Sequence, residues 1–289
     1  MSIYFKLIFA SFLWGTNVIV MKQLLGEVPF LLLAAMRVFF SFLFLGLYMI
    51  YKKTSFQCLQ KRKILLLGFI GIYLNFYFTF LGMNDVKGVD NALMNAIAPM
   101  LSFLFSLCLL QKKAKWYEYI ALFISLFAFL LSIHFQIFSI QKGFLYLLIG
   151  LSLYIVSQVF IQKWNLHHTL SLTFYQLGFG LIFLILHCIY KQQFHISYFV
   201  HIPFIYWILF LVISGAGFAF IQVIYMQSVE KIGVLKTSSF LSMNPFITYI
   251  EALIFLNEQF DIIHFISFIL IFISIYFMNF YKYQIFKKK

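Results

Sequence analysis

Charge, cysteine and proline are all scarce in this chain of 289 residues: 10% of its residues are charged, and it has three cysteines and four prolines. Acids are scarcer than bases, with eight Asp and Glu against 21 Lys and Arg. Cys58, Cys108 and Cys188 lack the close spacing of metal or redox motifs. The topology read below puts Cys188 across a membrane from the other two, so no disulfide is expected to involve it. A membrane enzyme would need paired acids, a metal set or an activated nucleophile near one membrane face. The best cluster, His167-His168, has no acid or Cys beside it, and neighbours point apart on a helix, so it reads as a cytoplasmic loop. No Gly-rich phosphate cradle is present, which argues against an ATP-driven pump. The expectation is a non-enzyme with no cofactor and no metal.

What is abundant is apolar: 64% of the residues are hydrophobic and 41 are Phe, with a mean hydropathy of +0.98. A soluble domain carries roughly 45–50% apolar residues. The apolar runs suit helices crossing a ~30 Å hydrocarbon core, each needing about 20 residues. Interruptions by charged and turn residues divide the chain into ten candidate spans, at 3–21, 30–51, 64–82, 92–110, 117–135, 144–162, 170–190, 204–226, 235–256 and 262–280. The first follows Lys6, lacks a small-residue cleavage site and runs into Lys22, so it reads as a span and not a signal peptide. The fold class expected is an all-α integral membrane protein with the lipid bilayer as its partner.

The formal charge of +13 has its meaning in its placement. With the N-terminus inside, sixteen basic residues, from Lys6 to Lys289, fall on the cytoplasmic side; Lys22, Lys87, Lys142 and Lys191 fall outside, and Arg37 lies within a span. Cytoplasmic loops carry the Lys/Arg excess, so both termini are expected in the cytoplasm. The basic balance is a topology signal, and no nucleic acid is implied.

The halves resemble each other. NAIAPMLSFLFSLCLLQKK from Asn95 lies without gaps on LSMNPFITYIEALIFLNEQ from Leu241, which puts Pro99 on Pro245; the same offset puts Gly71 on Gly217. Slightly different offsets put Trp14 on Tyr154 and Arg37 on Gln176. A repeat of five spans reverses direction between copies, giving the inverted repeat that secondary transporters use for alternating access. The expected division is 1–141 and 142–289.

FLWGTN with Lys22 after it, Pro29 followed by Ala34-Ala35-Met36-Arg37, the mid-span prolines Pro99 and Pro245, and Leu256-Asn257-Glu258 together resemble the EamA-type transporters of the drug/metabolite transporter superfamily. The likeness covers essentially the whole chain. One departure is Gln111-Lys112, where the first repeat of that family usually has Gly-Glu. The resemblance implies ten helices in two inverted repeats, with helices one to four and six to nine around a central cavity and five and ten outside. It implies a permease of the bacterial inner membrane, exporting amino acids or related small-molecule substrates. Uptake by the same fold, a membrane enzyme acting on lipid-linked substrates and a non-transporting scaffold are the competing readings, and a homodimer is left open.

Arg37 carries most of the chemistry. A charge at the bilayer centre costs at least ~2.5–3.5 kcal/mol on insertion scales, so it faces a cavity or a partner. It lies about eight residues beyond Pro29, or roughly 12 Å of helix. It suits a substrate carboxylate, which guanidinium binds bidentately; the alternative is a structural bond to helix-end carbonyls or to Glu251. Glu251, the one acid within a span, is a candidate for proton coupling or for that fixed ion pair. Trp14, Asn17, Asn95, Ser157, Gln158, Tyr175, Gln176, Gln222 and Asn244 are the remaining cavity candidates, because a buried amide needs a partner or water. Pro99 and Pro245 are expected to free backbone carbonyls or kink their helices at mid-membrane, as gating elements. Gly68, Gly71, Gly215 and Gly217 are expected to permit close helix contact.

Overall fold

The computed structural model describes residues 3–57, 60–86, 94–111, 115–132, 142–195, 198, 202–255 and 261–279. Cys58, Lys87, Lys112, Leu256-Asn257-Glu258 and Lys289 lie outside the described residues. All regular structure among the described residues is helical. An apolar medium dictates this, because each backbone N–H and C=O has to be satisfied within the segment that crosses it.

The first half contributes α1 (Ile3–Leu24), α2 (Phe30–Tyr51), α3 (Lys61–Asp85), α4 (Asn95–Leu110) and α5 (Trp116–Ser132). The second contributes α6 (Lys142–Lys163), α7 (Thr169–Tyr190), α8 (Phe204–Ile232), α9 (234–255) and α10 (Ile262–Asn279). Among the described residues, seven are long and apolar enough to cross a membrane by length and composition: α1, α2, α3, α6, α7, α8 and α10. α4 and α5 are shorter apolar helices. α9 is broken into Val234–Ser238, a 3-10 turn at Ser239–Met243 and Asn244–Phe255.

The prolines behave differently from the sequence expectation. Pro29 and Pro203 sit at the N-caps of α2 and α8, in extended backbone with ψ of 132° and 136°. Pro99 lies in the first turn of Ala98–Leu110, directly after the 3-10 turn Asn95–Ile97, and Pro245 is the second residue of Asn244–Phe255 after Ser239–Met243. In a first turn the missing N–H has no helical partner to lose. Pro99 and Pro245 therefore start an α-helix after a 3-10 turn; they do not bend a continuous one. The matched 3-10 turns are the actual break, and they meet: Ser242 Oγ approaches the carbonyls of Asn95 and Ala96 at 3.5 and 3.3 Å.

A second matched irregularity lies in α3 and α8, which carry π-helical segments at Phe69–Leu74 and Phe210–Gly217. Gly71 is needed in the first: a Cβ there would run into Ser157 of α6 and the Gln176 amide of α7. The close approach expected of Gly71 is thus present.

The main packing pairs are α1 with α8 and α9, α6 with α3 and α4, α2 with α7 and α8, α7 with α3, and α5 with α10. Exchanging each helix for its counterpart five places on leaves that set unchanged. The halves interleave, and one apolar core takes residues from both, among them Met21, Phe80, Ile155 and Phe210. Large apolar side chains also cover the outside, such as Phe123, Phe204 and Ile254, as a lipid-facing surface requires. In lipid, packing and interhelical hydrogen bonds of about 0.6–2 kcal/mol replace the hydrophobic driving force. Serines supply several of these bonds: Ser274 Oγ to Ala121 O at 2.7 Å joins α10 to α5, and Ser125 Oγ to Ala96 O at 2.8 Å joins α5 to α4.

Candidate functional site

A cavity of about 60 Å³ lies between α1, α2, α3, α4 and α6. At ~10–15 Å³ per water this is room for about four to six waters, well below the roughly 300 Å³ at which small-molecule pockets begin. α1 contributes Trp14, Asn17, Val18 and Met21, one helical face; α2 contributes Arg37. Asn75, Phe76, Thr79 and Met83 line it from α3, Met94 and Asn95 from the α4 entry, and Tyr154 from α6. α5 and α10 contribute nothing to the lining.

Arg37 is 6% exposed. Its guanidinium carbon lies 4.2 Å from the ring centre of Phe218, 5.0 Å from Phe76 and 6.0 Å from Phe80. Among the described residues it makes no ion pair, and its buried Nε has no hydrogen-bond partner. Cation–π contacts offset only part of the several kcal/mol that burying a cation costs. Among the described residues the site therefore has a positive charge without a counter-charge, facing a cavity.

The expected alternative, pairing with Glu251, is not the arrangement. Glu251 Oε1 accepts a hydrogen bond from Thr16 Oγ1 at 2.6 Å, while its Oε2 has no partner. Thr16 and Asn17 are successive residues, about 100° apart around α1, so the Glu251 contact lies on a different face from the cavity.

Asn17 both lines the cavity and ties α1 to α8. Its Nδ2 donates to Ile213 O and to Ser214 Oγ, each at 3.1 Å. Ser41 Oγ lies 2.8 Å from both Gly215 O and Arg37 O. A π-helical turn breaks the i to i−4 ladder, and carbonyls in this one are met by side chains of α1 and α2. In the other half Gln176 Nε2 donates to Leu67 O at 3.3 Å, just before the α3 π-segment. Asn75 Nδ2 donates to Gly71 O at 3.2 Å and its Oδ1 accepts from Thr79 at 3.1 Å.

Trp14 forms an aromatic wall with Tyr154, Tyr225 and Phe218, edge-on at ring separations of 5.6, 6.2 and 6.4 Å. Gly15 beside it brings α1 against α9: a Cβ there would meet Ile247 at 2.8 Å.

Of the residues expected from sequence, Trp14, Asn17, Arg37 and Asn95 come together in the cavity. Gln222 lies behind its aromatic wall, where its Oε1 accepts from Tyr154 OH at 3.4 Å. Asn244 is fully buried with neither amide atom bonded, away from the lining. Tyr175 and Gln176 are elsewhere: Tyr175 OH donates to Phe56 O at 2.7 Å and packs in a separate cluster with Ile64 and Leu67. The repeat alignment sets Arg37 of α2 against Gln176 of α7, and the cavity takes only the first of the two. Asn75, Phe76, Thr79 and Phe218 are site residues that the sequence did not single out. Phe76 and Phe218 are invisible among 41 phenylalanines; Asn75, four residues after Gly71, was the available signal.

Lys22 Nζ donates to the carbonyls of Met83 at 2.6 Å and Val86 at 2.5 Å, capping the end of α3 beside the cavity. Its counterpart, by the offset that relates Trp14 to Tyr154, is Gln162, whose Oε1 accepts from Val234 N at 2.9 Å. His167 Nδ1 lies 2.9 Å from Glu230 Oε1, and Thr169 Oγ1 donates to Glu230 Oε2 at 2.9 Å, a link from the α6–α7 turn to the end of α8. Among the described residues no group of His, Cys, Asp and Glu is arranged to hold a metal ion.

The profile of the EamA-like transporter family matches residues 1–134 and again 141–280. A solved structure described only as "Crystal structure of protein" is similar to this chain with a TM-score of 0.72 and 15% identity, over 94% of this chain and 95% of that one. At that identity the likeness speaks to fold alone. No curated protein matches the chain. With the family profile covering both halves of an all-helical, strongly apolar chain, the protein belongs to the EamA-like transporter family, membrane transporters of the drug/metabolite transporter superfamily.

Proposed function

We propose that the chain is a secondary transporter with ten membrane-spanning helices in two inverted repeats, 1–141 and 142–289, and both termini cytoplasmic. It works in the inner membrane by alternating access and exports small carboxylate-bearing metabolites such as amino acids or related compounds. Arg37 is the anchor for the substrate carboxylate. The observation that carries this is the unpaired guanidinium over Phe218, facing the cavity. Trp14 and Asn17 shape the cavity, and Asn95 with the two 3-10 turns ahead of Pro99 and Pro245 forms its moving edge. Glu251, bonded to Thr16, is the proton-coupling group linking α9 to α1.

The test is flux in proteoliposomes against acidic and aromatic amino acids, monocarboxylates and dicarboxylates, with and without a pH gradient. The expected result is transport of carboxylates that Arg37→Ala lowers by about 10–100-fold, the worth of charge-assisted hydrogen bonds of about 1.5–3 kcal/mol. Wild-type flux in Arg37→Ala would remove the anchor.

A further inference from the structure

Trp14 and Tyr154 hold equivalent places in the two halves, and their rings meet at 5.6 Å. Equivalent residues meet only near the axis that relates the halves. The lining of the Arg37 cavity therefore has a counterpart on the other side of this pair. The Trp14-to-Tyr154 offset carries Val18 and Met21 of α1 to Gln158 and Ile161 of α6. The Gly71-to-Gly217 offset carries Phe76, Thr79 and Met83 of α3 to Gln222, Tyr225 and Val229 of α8.

The mouth of that counterpart is open. Ile161 and Val229 line a vestibule of about 490 Å³ at the ends of α6 and α8 and the start of α9. Gln158 and Tyr225 lie about one helical turn deeper, or ~5.4 Å, and Gln222 about two turns deeper; all three are fully buried. Among the described residues, both amide atoms of Gln158, Nε2 of Gln222 and the Tyr225 hydroxyl have no hydrogen-bond partner. Orphaned polar groups are costly in a dry core, and leucine or phenylalanine would pack the same space without that cost. A polar group that is unsatisfied in one state suits a second state in which it meets water or substrate.

We infer that Gln158, Gln222 and Tyr225 form the cytoplasm-facing half of the substrate path, the counterpart of the Arg37 cavity, shut in this structure by one helical turn of packing. Their chemistry is neutral: amide N–H and phenol O–H donors that take carboxylate, carbonyl or hydroxyl oxygens of the cargo. This rests on the transporter reading above.

Two experiments on the full chain decide it. With Cys58, Cys108 and Cys188 replaced, Gln158→Cys and Tyr225→Cys are expected to react with a membrane-impermeant thiol reagent in inside-out vesicles. A thiol at both positions that reacts from neither face overturns the inference. In proteoliposomes Gln158→Leu is expected to lower flux about tenfold, the loss of one typical substrate hydrogen bond, with a melting temperature equal to or above that of the wild type. Wild-type flux, or a joint fall of flux and melting temperature, also overturns it. Labelling as expected, with no carboxylate transported by the unmodified chain, would instead sink the carboxylate-transport reading and leave the hydrated path standing.

Discussion

Replacing Arg37 by Met removes the guanidinium and keeps most of the side-chain volume. The nearest ring, Phe218, is at 4.2 Å and the next, Phe76, at 5.0 Å. A desolvated cation–π contact is worth about 2 kcal/mol and a looser one about 0.5–1, so the wild type gains about 3 kcal/mol from them. Against this stands the several kcal/mol of desolvation of a buried ion, with no carboxylate among the described residues to offset it. A methionine sulfur against the same rings recovers about 0.3–1.5 kcal/mol. Arg37→Met is therefore expected to leave stability unchanged or to raise it by about 1–2 kcal/mol. At about 2–4 °C per kcal/mol, the melting temperature stays level or rises by up to about 8 °C. Thermal unfolding of the purified protein by tryptophan fluorescence reads this, and flux in proteoliposomes reads the accompanying loss of transport. A melting temperature about 5 °C or more below that of the wild type would show that the cation holds helices together, and the argument for a charge reserved for substrate would fail.

Three other substitutions probe the surroundings. Gly15→Ala forces a Cβ onto Ile247 and is expected to cost about 1–3 kcal/mol, seen as a lower melting temperature that Ile247→Ala in the same chain partly restores. Gln176→Leu is expected to leave flux at the wild-type level, since its amide bonds Leu67 O outside the cavity, and to cost about 1 kcal/mol of stability; a loss of flux without loss of stability would put Gln176 back in the path. Glu251→Gln is expected to keep transport but abolish its response to a pH gradient, and an unaltered response in that variant would end the coupling role.

Helix placement was largely legible. The runs 30–51 and 170–190 correspond to Phe30–Tyr51 and Thr169–Tyr190, because length and apolarity set them directly. Where charges mark the expected boundaries the helices run on: Lys61, Arg62 and Lys63 are the first turn of α3, since a charge that leaves the bilayer does not have to leave the helix. The 3-10 and π segments were not legible, because in a helix apolar on all sides periodicity no longer marks its faces. The four residues Trp14 to Asn17 show the same limit. In the sequence they stand together within FLWGTN, yet in the structure they address four neighbours: Trp14 the aromatic wall, Gly15 α9, Thr16 Glu251 and Asn17 the α8 π-segment. A helix turns about 100° per residue, so adjacency in sequence disperses contacts. A spacing of three or four, as in Trp14, Asn17 and Met21, gathers side chains on one wall.

The halves share a geometry but not a charge. Lys22 and Arg37 have Gln162 and Gln176 at the equivalent places. Lys22 binds carbonyls at the end of α3, whereas Gln162 accepts from Val234 N. The fixed cations of the embedded region thus belong to one copy, and on the proposed topology Lys22 lies at the outer end of its helix. An anion moving from the neutral side of Gln158 and Gln222 toward Arg37 travels down this built-in gradient. An inside-negative membrane adds about 2.3 kcal/mol of electrical work per elementary charge per 100 mV in the same direction. Efflux of an anion is thus driven by the membrane potential in addition to any proton coupling through Glu251, and uptake of the same anion has to work against that potential.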